Sequence, residues 1–99
     1  MKPKEIFDCI VVTEVKVQLF EGKSVGHVKG LAEIVLNDQI IIRGIRINMG
    51  ENGLFISYPI DPFYKGENLR SIAFPITRNL REHIEAVILE KYNEQIKKN

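Results

Sequence analysis

The chain has 99 residues, of which 44 % are hydrophobic and 27 % are charged. These values are typical of one small globular domain, and they exclude a disordered or collagen-like chain. Lys and Arg number 14 against 13 Asp and Glu, which gives a formal net charge of +1. A strongly basic nucleic-acid-binding protein would carry a much larger positive excess. Any binding of anions must therefore depend on the placement of individual cations.

The cysteine content and the first residues indicate the compartment. Cys9 is the single cysteine and cannot form an internal disulfide. Glu5, Asp8 and Glu14 interrupt the apolar residues near the start, which is not the pattern of a signal peptide. No apolar run approaches the roughly 18 residues that span a bilayer. We therefore expect a cytoplasmic protein that makes no contact with a membrane.

The predicted elements begin with residues 1–8, which are mostly polar and are expected to form a flexible N-terminal arm. From residue 9 to 20, apolar and polar side chains alternate with a period of two, which predicts a half-buried strand. The same kind of pattern predicts further strands over residues 26–36, 39–48 and 54–58, and a short fifth strand over 70–76.

Asn37 and Asp38 tolerate positive φ and predict a tight hairpin turn between the second and third strands. If Leu36 pairs with Gln39 across this turn, the residues on each face of the hairpin follow. One face, apolar except for Arg43, is expected to face the core and contains Val28, Gly30, Ala32, Ile34, Leu36, Ile41, Ile45 and Ile47. The other face carries a second apolar patch, for which we predict a covering element or a partner subunit: Leu31, Val35, Ile40 and Ile42.

The last part of the chain has the pattern of a helix. Thr77 is a typical N-cap residue, and apolar side chains recur after it at steps of three and four, which predicts a helix over residues 77–97. The stripe expected to lie on the sheet consists of Leu80, Ile84, Val87, Ile88 and Tyr92. Residues 1–99 are thus expected to form a single domain of the α+β class, with a mostly antiparallel sheet of about five strands and one C-terminal helix.

The sequence offers little support for catalysis. It contains no Gly-x-Ser-x-Gly, no phosphate-binding glycine loop and no His-Glu-x-x-His. His27 and His83 fall on different predicted elements, so a histidine–carboxylate metal site is the weaker alternative to two ordinary surface histidines. Cys9 as a nucleophile is similarly weaker than Cys9 as a small buried hydrophobe. We expect no enzyme, no cofactor, no metal and no small-molecule substrate.

Two groups of residues suggest contacts with an anionic partner. Lys29 and Arg46 lie opposite each other in the predicted register, where like charges are unfavourable unless they bind an anion such as a phosphate. The alternative is that Glu14 or Glu33 neutralises them on the same face. On the helix, Arg78 and Arg81 fall in the first turn, where cations oppose the helix dipole, and they are further candidate phosphate contacts.

The segment that follows Pro59 combines aromatic side chains with a cation. Phe63 and Tyr64 could stack on bases while Lys65 contacts a phosphate, as in single-strand-binding proteins. The alternative is that these aromatic side chains fold back onto the core of their own chain.

Several blocks, in order along the chain, resemble the stage V sporulation protein G (SpoVG, septation protein) family. The resemblance covers nearly all of the chain after residue 10. It is carried by Thr13-Glu14-Val15-Lys16-Val17, Ala32-Glu33-Ile34-Val35-Leu36, Ile45-Arg46-Ile47, Gly50-Glu51-Asn52-Gly53-Leu54-Phe55-Ile56 with Pro59, Ile72-Ala73-Phe74-Pro75-Ile76, and Arg81-x-x-Ile84 through Leu89-x-x-Tyr92.

The resemblance implies a small bacterial homodimer formed by pairing of sheets, which binds DNA and RNA as a regulator and is linked to septation and sporulation. Arg46 and Arg81 match arginines of the family's motifs. The chain departs from the pattern where members have a basic loop after the proline, because Lys65 is the one cation of 60–65, and Phe74 and Arg43 stand where His is common. The residues expected to contact nucleic acid are Lys29, Arg46, Lys65, Arg70, Arg78 and Arg81.

A second hypothesis belongs to another class of function. The chain could be a protein–protein adaptor in cell division that acts through the second apolar face or an open sheet edge. That hypothesis predicts that loss of Arg46 and Arg81 leaves the function intact, whereas Ile42→Asp abolishes it.

Overall fold

The fold is that of a computed structural model, which describes residues 9–20, 26–68 and 70–98. The strands are β1 (Val12–Leu19), β2 (Val28–Leu36), β3 (Ile40–Gly50) and β4 (Gly53–Ser57), and helix α1 spans Arg78–Lys98. The strands pair antiparallel in chain order, β1-β2-β3-β4. The predicted α+β class with a C-terminal helix is confirmed, and the arm predicted for residues 1–8 lies outside the described residues.

The prediction of a fifth strand over residues 70–76 is wrong. Among the described residues of that segment, Ser71 forms an isolated bridge with Ile60 and no ladder continues from it. Pro75 has no N–H group to donate to a neighbouring strand, which disfavours a strand there.

Helix α1 packs against β1 and β4 on one face of the sheet. Thr77 is its N-cap, because the Thr77 hydroxyl accepts a hydrogen bond from the backbone N–H of Leu80 at 3.4 Å. Four residues of the predicted stripe lie on the sheet: Ile84, Ile88 and Tyr92 are buried, and Leu80 packs against the core. Leu89, rather than the predicted Val87, joins them. No helix in the described part of the chain is long and apolar enough to span a bilayer.

The core lies between helix α1 and the sheet. Burial of each large aliphatic side chain contributes about 1.5–3 kcal/mol to stability, so a few isoleucines account for much of the packing between the two layers. The sheet contributes Val17, Ala32, Ile34, Ile45 and Ile47 to this core.

The hairpin turn between β2 and β3 is confirmed, but the predicted register is wrong. Asn37 and Asp38 have φ values of 53° and 56°, and the Gln39 N–H donates a hydrogen bond to the Leu36 carbonyl at 2.9 Å. Leu36 nevertheless pairs with Ile40 in the ladder, one residue beyond Gln39. A shift of one residue exchanges the two faces of a strand, so the faces predicted for β3 next to the turn are reversed.

A β-bulge in the middle of β3 reverses the faces again. Glu33 of β2 lies opposite two residues of β3, Arg43 and Gly44. Gly44 has a φ of 80°, in the left-handed region that favours glycine. The extra residue returns Ile45 and Ile47 to the side of the helix, and this explains why Arg43 did not fit the predicted apolar face.

The segment between β4 and α1 is irregular but is held by backbone hydrogen bonds. The Asp61 N–H donates to the Arg70 carbonyl at 2.7 Å, and the Ile72 N–H donates to the Pro59 carbonyl at 2.7 Å. Because these bonds tie 59–61 to 70–72, the residues between them form a closed loop. Where the loop begins, the Asp61 carboxylate accepts a hydrogen bond from the Phe63 N–H at 2.9 Å.

Candidate nucleic-acid interface

The sheet face opposite helix α1, which we call the open face, carries a short apolar strip. Leu31 and Val35 lie on it as predicted, and Ile41 joins them because it pairs with Val35. The placement of Ile40 and Ile42 on this face is wrong: Ile40 pairs with Leu36 and Ile42 with Ile34, which puts both on the helix side. Ile42 packs against the core.

Two ion pairs lie on the open face, and one of them separates Leu31 from Val35 and Ile41 within the apolar strip. The Arg43 guanidinium is 3.3 Å from the Glu33 carboxylate, and the Lys16 ammonium is 3.6 Å from the Glu14 carboxylate. The two acidic residues that could neutralise Lys29 and Arg46 are therefore next to other cations. Neither Lys29 nor Arg46 takes part in an ion pair with another residue that the structure describes.

Arg46 is exposed on the open face, where it pairs with Leu31 on one side and Ser57 on the other. The prediction that Lys29 lies directly opposite Arg46 is wrong. Arg46 pairs with Leu31 instead, because the pairing at the turn is displaced by one residue and the bulge at Gly44 displaces it by another. By strand alternation Lys29 still falls on the open face, toward the end of β2 that is distant from the hairpin turn. The two cations thus share a face without being direct partners.

Arg81 lies on the helix side of the sheet, near the end of β4. Its charge acts on the hydroxyl of Tyr58, the residue that follows Ser57. Burial, reinforced by the Glu85 carboxylate and opposed by Arg81, raises the pKa of Tyr58 to about 12. Since Arg46 pairs with Ser57, the two arginines flank the same strand end from opposite sides of the sheet.

The loop between β4 and α1 holds two of the predicted cations. Lys65 and Arg70 are both exposed, and the Arg70 guanidinium carbon lies 5.2 Å from the centre of the Tyr64 ring, in cation–π contact. Phe63, two residues after Asp61, is 85 % exposed. The alternative in which both aromatic side chains fold onto the core is therefore wrong for Phe63.

The start of helix α1 holds the last predicted cation. Arg78 is the first residue of the helix and is exposed. The first turn contains no acidic residue, so nothing in that turn offsets the positive end of the helix dipole. The six predicted cations consequently fall into three places in one chain: the open face, the loop and the helix.

Sequence reasoning missed two features of this region. It did not anticipate that Arg70 stacks on Tyr64, or that the Tyr64 ring lies against Gly66, where any Cβ atom would collide with the ring. A glycine close to an exposed aromatic residue is a weak signal in a sequence, because the contact depends on how the loop folds. No group of three or more His, Cys, Asp or Glu side chains in the described part of the chain could hold a metal ion.

The geometry defines a small α+β domain, in which a four-stranded antiparallel sheet is covered by a helix on one face and carries cations and an apolar strip on the other. Residues 10–94 match the sequence model of the SpoVG family. The chain belongs to that family.

Individual relatives carry the same family name. The chain is 35 % identical over 85 residues to "Putative septation protein SpoVG" of Agathobacter rectalis. The matched region covers 86 % of this chain and 94 % of the relative. It is 40 % identical over 83 residues to the protein of the same name from Aster yellows witches'-broom phytoplasma, covering 84 % and 81 %. The protein of that name from Finegoldia magna is 33 % identical over 87 residues, covering 88 % and 78 %.

Proposed function

We propose that this chain is a cytoplasmic, non-enzymatic regulator of septation or sporulation that binds DNA or RNA as a homodimer. The septation role is supported by membership of the SpoVG family and by the names of its relatives. The nucleic-acid role is supported above all by one observation. Arg46 is exposed on the open face while the neighbouring carboxylates of Glu14 and Glu33 lie against Lys16 and Arg43.

The proposed dimer is supported by the composition of the open face. The apolar strip runs from Val35 and Ile41, next to the hairpin turn, to Leu31, which lies directly opposite Arg46. Lys29 lies beyond Leu31, toward the end of β2 that is distant from the turn. Contact between two copies through the strip would remove apolar surface from water. It would also bring the cation-bearing ends of two chains to the rim of one interface, and each binding cation would occur twice.

The proposed phosphate contacts are the cations of the open face, the loop and the helix: Lys29, Arg46, Lys65, Arg70, Arg78 and Arg81. Because one chain has a net charge of only +1, long-range attraction to a polyanion is weak and these local contacts must supply the affinity. Binding is therefore expected to be modest and to fall steeply with salt, as counterions are released from each contacted phosphate.

The test is titration of fluorescein-labelled DNA and RNA with the full chain at about 50 mM and about 200 mM salt. We expect measurable binding at the lower salt and a loss of about tenfold or more at the higher salt. Arg46→Ala combined with Arg81→Ala should abolish most of the binding. Absence of binding at low salt, or binding that is insensitive to salt, would contradict the proposal.

The adaptor hypothesis is favoured by the apolar strip alone, and the same variants separate it from the nucleic-acid proposal. If the adaptor hypothesis is correct, the Arg46→Ala, Arg81→Ala protein keeps its function in cells and Ile41→Asp removes it. The diagnostic position is Ile41 rather than Ile42, because Ile42 packs against the core.

A further inference from the structure

Two grooves meet at Phe74, between the loop and the start of helix α1. The first is a cleft of about 650 Å³ in the loop, lined by Tyr64, Asn68, Arg70, Ser71, Ile72 and Phe74. The second, of about 570 Å³, runs along the start of the helix, and Phe74, Ile76, Thr77, Leu80 and His83 are among its lining residues. We call the two grooves together the aromatic track.

The aromatic surfaces of this track are exposed and held in place. Phe74 is 50 % exposed and Tyr64 is 43 % exposed. The Tyr64 ring is fixed by contact with Gly66 and by the Arg70 guanidinium. The backbone hydrogen bonds from Asp61 and Ile72 close the loop that carries it. A ligand that stacks on these rings would have little ordering of the loop to overcome.

The charge of the track favours an anionic ligand. None of the described residues that line either groove is Asp or Glu. Arg70 lines the cleft, and the other end of the track lies at a helix start with no acidic residue in its first turn. Asn68 and Ser71 add side-chain hydrogen-bonding groups beside the rings.

We propose that the aromatic track binds an unpaired stretch of nucleic acid, with bases stacked on Tyr64 and Phe74 and Arg70 in contact with a phosphate. Exposed rings next to cations are the combination that single-strand-binding proteins use, and Arg guanidinium planes themselves serve as stacking surfaces. A base within a duplex has both of its faces covered by its neighbours and cannot stack on these rings. This inference rests on the proposed nucleic-acid function and adds the form of nucleic acid that the chain prefers.

The experiment compares binding of a labelled dT20 oligonucleotide with binding of a 20-base-pair duplex by fluorescence anisotropy. Loss of one base–aromatic stack weakens single-strand binding by about 5- to 150-fold. We therefore expect Phe74→Leu and Tyr64→Leu each to weaken dT20 binding by about tenfold or more, and to weaken duplex binding by less than about threefold. Phe74→Tyr, which keeps the aromatic face, should bind dT20 within about threefold of the unmodified chain.

Phe55→Leu is the matched control, because Phe55 is also half-exposed but lies on β4, outside both grooves. Because Phe55 pairs with Asn48 on the open face, any effect of Phe55→Leu should be the same for dT20 and for the duplex. A second measurement, ultraviolet cross-linking of a 5-bromodeoxyuridine oligonucleotide followed by peptide mapping, uses the unmodified chain and does not depend on the folding of any variant. Cross-links to Tyr64 or Phe74 are expected, and cross-links found only elsewhere would overturn the inference.

The outcomes separate this inference from the proposed function. If the unmodified chain binds neither oligonucleotide at low salt, the proposed function fails, and this inference fails with it. If the unmodified chain binds dT20 and the Phe74→Leu and Tyr64→Leu variants bind it equally well, the proposed binding of single strands to the aromatic track is wrong. The proposed nucleic-acid function then stands. A preference for duplex over dT20 would likewise overturn the aromatic track alone.

Discussion

The Nε atom of Arg43 lies 3.3 Å from a carboxylate oxygen of Glu33 on the open face of the sheet. The Arg43 side chain is largely exposed, so the ion pair contributes no more than about 1 kcal/mol to stability. Its importance is for the distribution of charge. The open face carries Glu33 and Glu14, either of which could have neutralised Arg46. Because Glu33 is next to Arg43 and Glu14 is next to Lys16, the Arg46 guanidinium is available to a ligand.

Arg46 and Arg43 form a matched pair for testing the proposed phosphate contacts. Arg46→Gln and Arg43→Gln remove the same charge from the same strand. We expect Arg46→Gln to weaken DNA or RNA binding by about tenfold, and to make the dependence of log affinity on log salt shallower by about one for each phosphate that is no longer neutralised. Arg43→Gln should weaken binding less and leave this slope unchanged. An unchanged slope for Arg46→Gln would show that Arg46 does not itself bind a phosphate.

Ile41 and Ile42 are adjacent in β3 but lie on opposite faces of the sheet. Ile42 packs against the core, so Ile42→Asp places a charge among apolar side chains and should lower the free energy of unfolding by about 2 kcal/mol or more. Ile41→Asp places the charge on the open face, and we expect a folded chain that sediments as a monomer where the unmodified chain sediments as a dimer. Urea unfolding and sedimentation velocity check the two expectations.

Either of two results would contradict this assignment of faces and interface. Equal loss of stability in Ile41→Asp and Ile42→Asp would mean that the two side chains do not differ in their surroundings. A dimer that survives Ile41→Asp would mean that the chains associate through some other surface, such as the open edge of β1 or β4.

Gly44 tests the bulge in β3. Its φ of 80° is unfavourable for residues with a Cβ atom, and a Cβ added there would meet only the Pro59 side chain at 3.6 Å, an ordinary contact. Backbone strain is therefore the main cost of Gly44→Ala, at about 1–2 kcal/mol. Alanine also restricts the unfolded chain, which stabilises the folded state by about 0.4–1 kcal/mol. We expect Gly44→Ala to lower the free energy of unfolding by about 0.5–1 kcal/mol in urea titrations.

Gly44→Asn is the control for this interpretation, because asparagine adopts the left-handed conformation more readily than alanine. It should be less destabilising than Gly44→Ala even though its side chain is larger. If Asn is the more destabilising of the two, the cost is one of space rather than of backbone strain.

The raised pKa of Tyr58 predicts how the free energy of unfolding changes at alkaline pH. Its pKa is raised from 10.0 to about 12 in the folded chain, first by burial and then by the Glu85 carboxylate. Between these two values the folded state holds a proton that the unfolded state has released, so stability is fully present below pH 10 and falls as the pH rises toward about 12. Tyr58→Phe should remove this part of the alkaline loss, measured as the free energy of unfolding across that range.

The same variant has a second expected effect, near neutral pH. The Tyr58 hydroxyl is buried and has no hydrogen-bond partner among the residues that the structure describes. Since a buried hydroxyl without a partner carries a desolvation cost, Tyr58→Phe should be as stable as the unmodified chain or more stable at about pH 7. A clear loss of stability there would indicate that the hydroxyl does have a partner in solution.

Features set by neighbouring residues could be predicted from the sequence. The hairpin turn follows from Asn37 and Asp38, whose side chains tolerate positive φ wherever they occur. The start and the buried face of helix α1 follow from Thr77 and from the recurrence of Ile84 and Ile88 on one side of a helix. Alternation predicted four strands to within a few residues, because a half-buried strand must place its side chains alternately in the core and in water.

Features that depend on partners distant in the chain were decided by the tertiary structure. The faces of Ile41 and Ile42 depend on whether Leu36 pairs with residue 39 or 40, a choice that the turn residues alone leave open. The bulge at Gly44 returns Ile45 and Ile47 to the buried side of the sheet, where burial of each side chain contributes about 1.5–3 kcal/mol. The stacking of Arg70 on Tyr64 likewise requires a closed loop, and its closure depends on hydrogen bonds between segments about ten residues apart that no local pattern specifies.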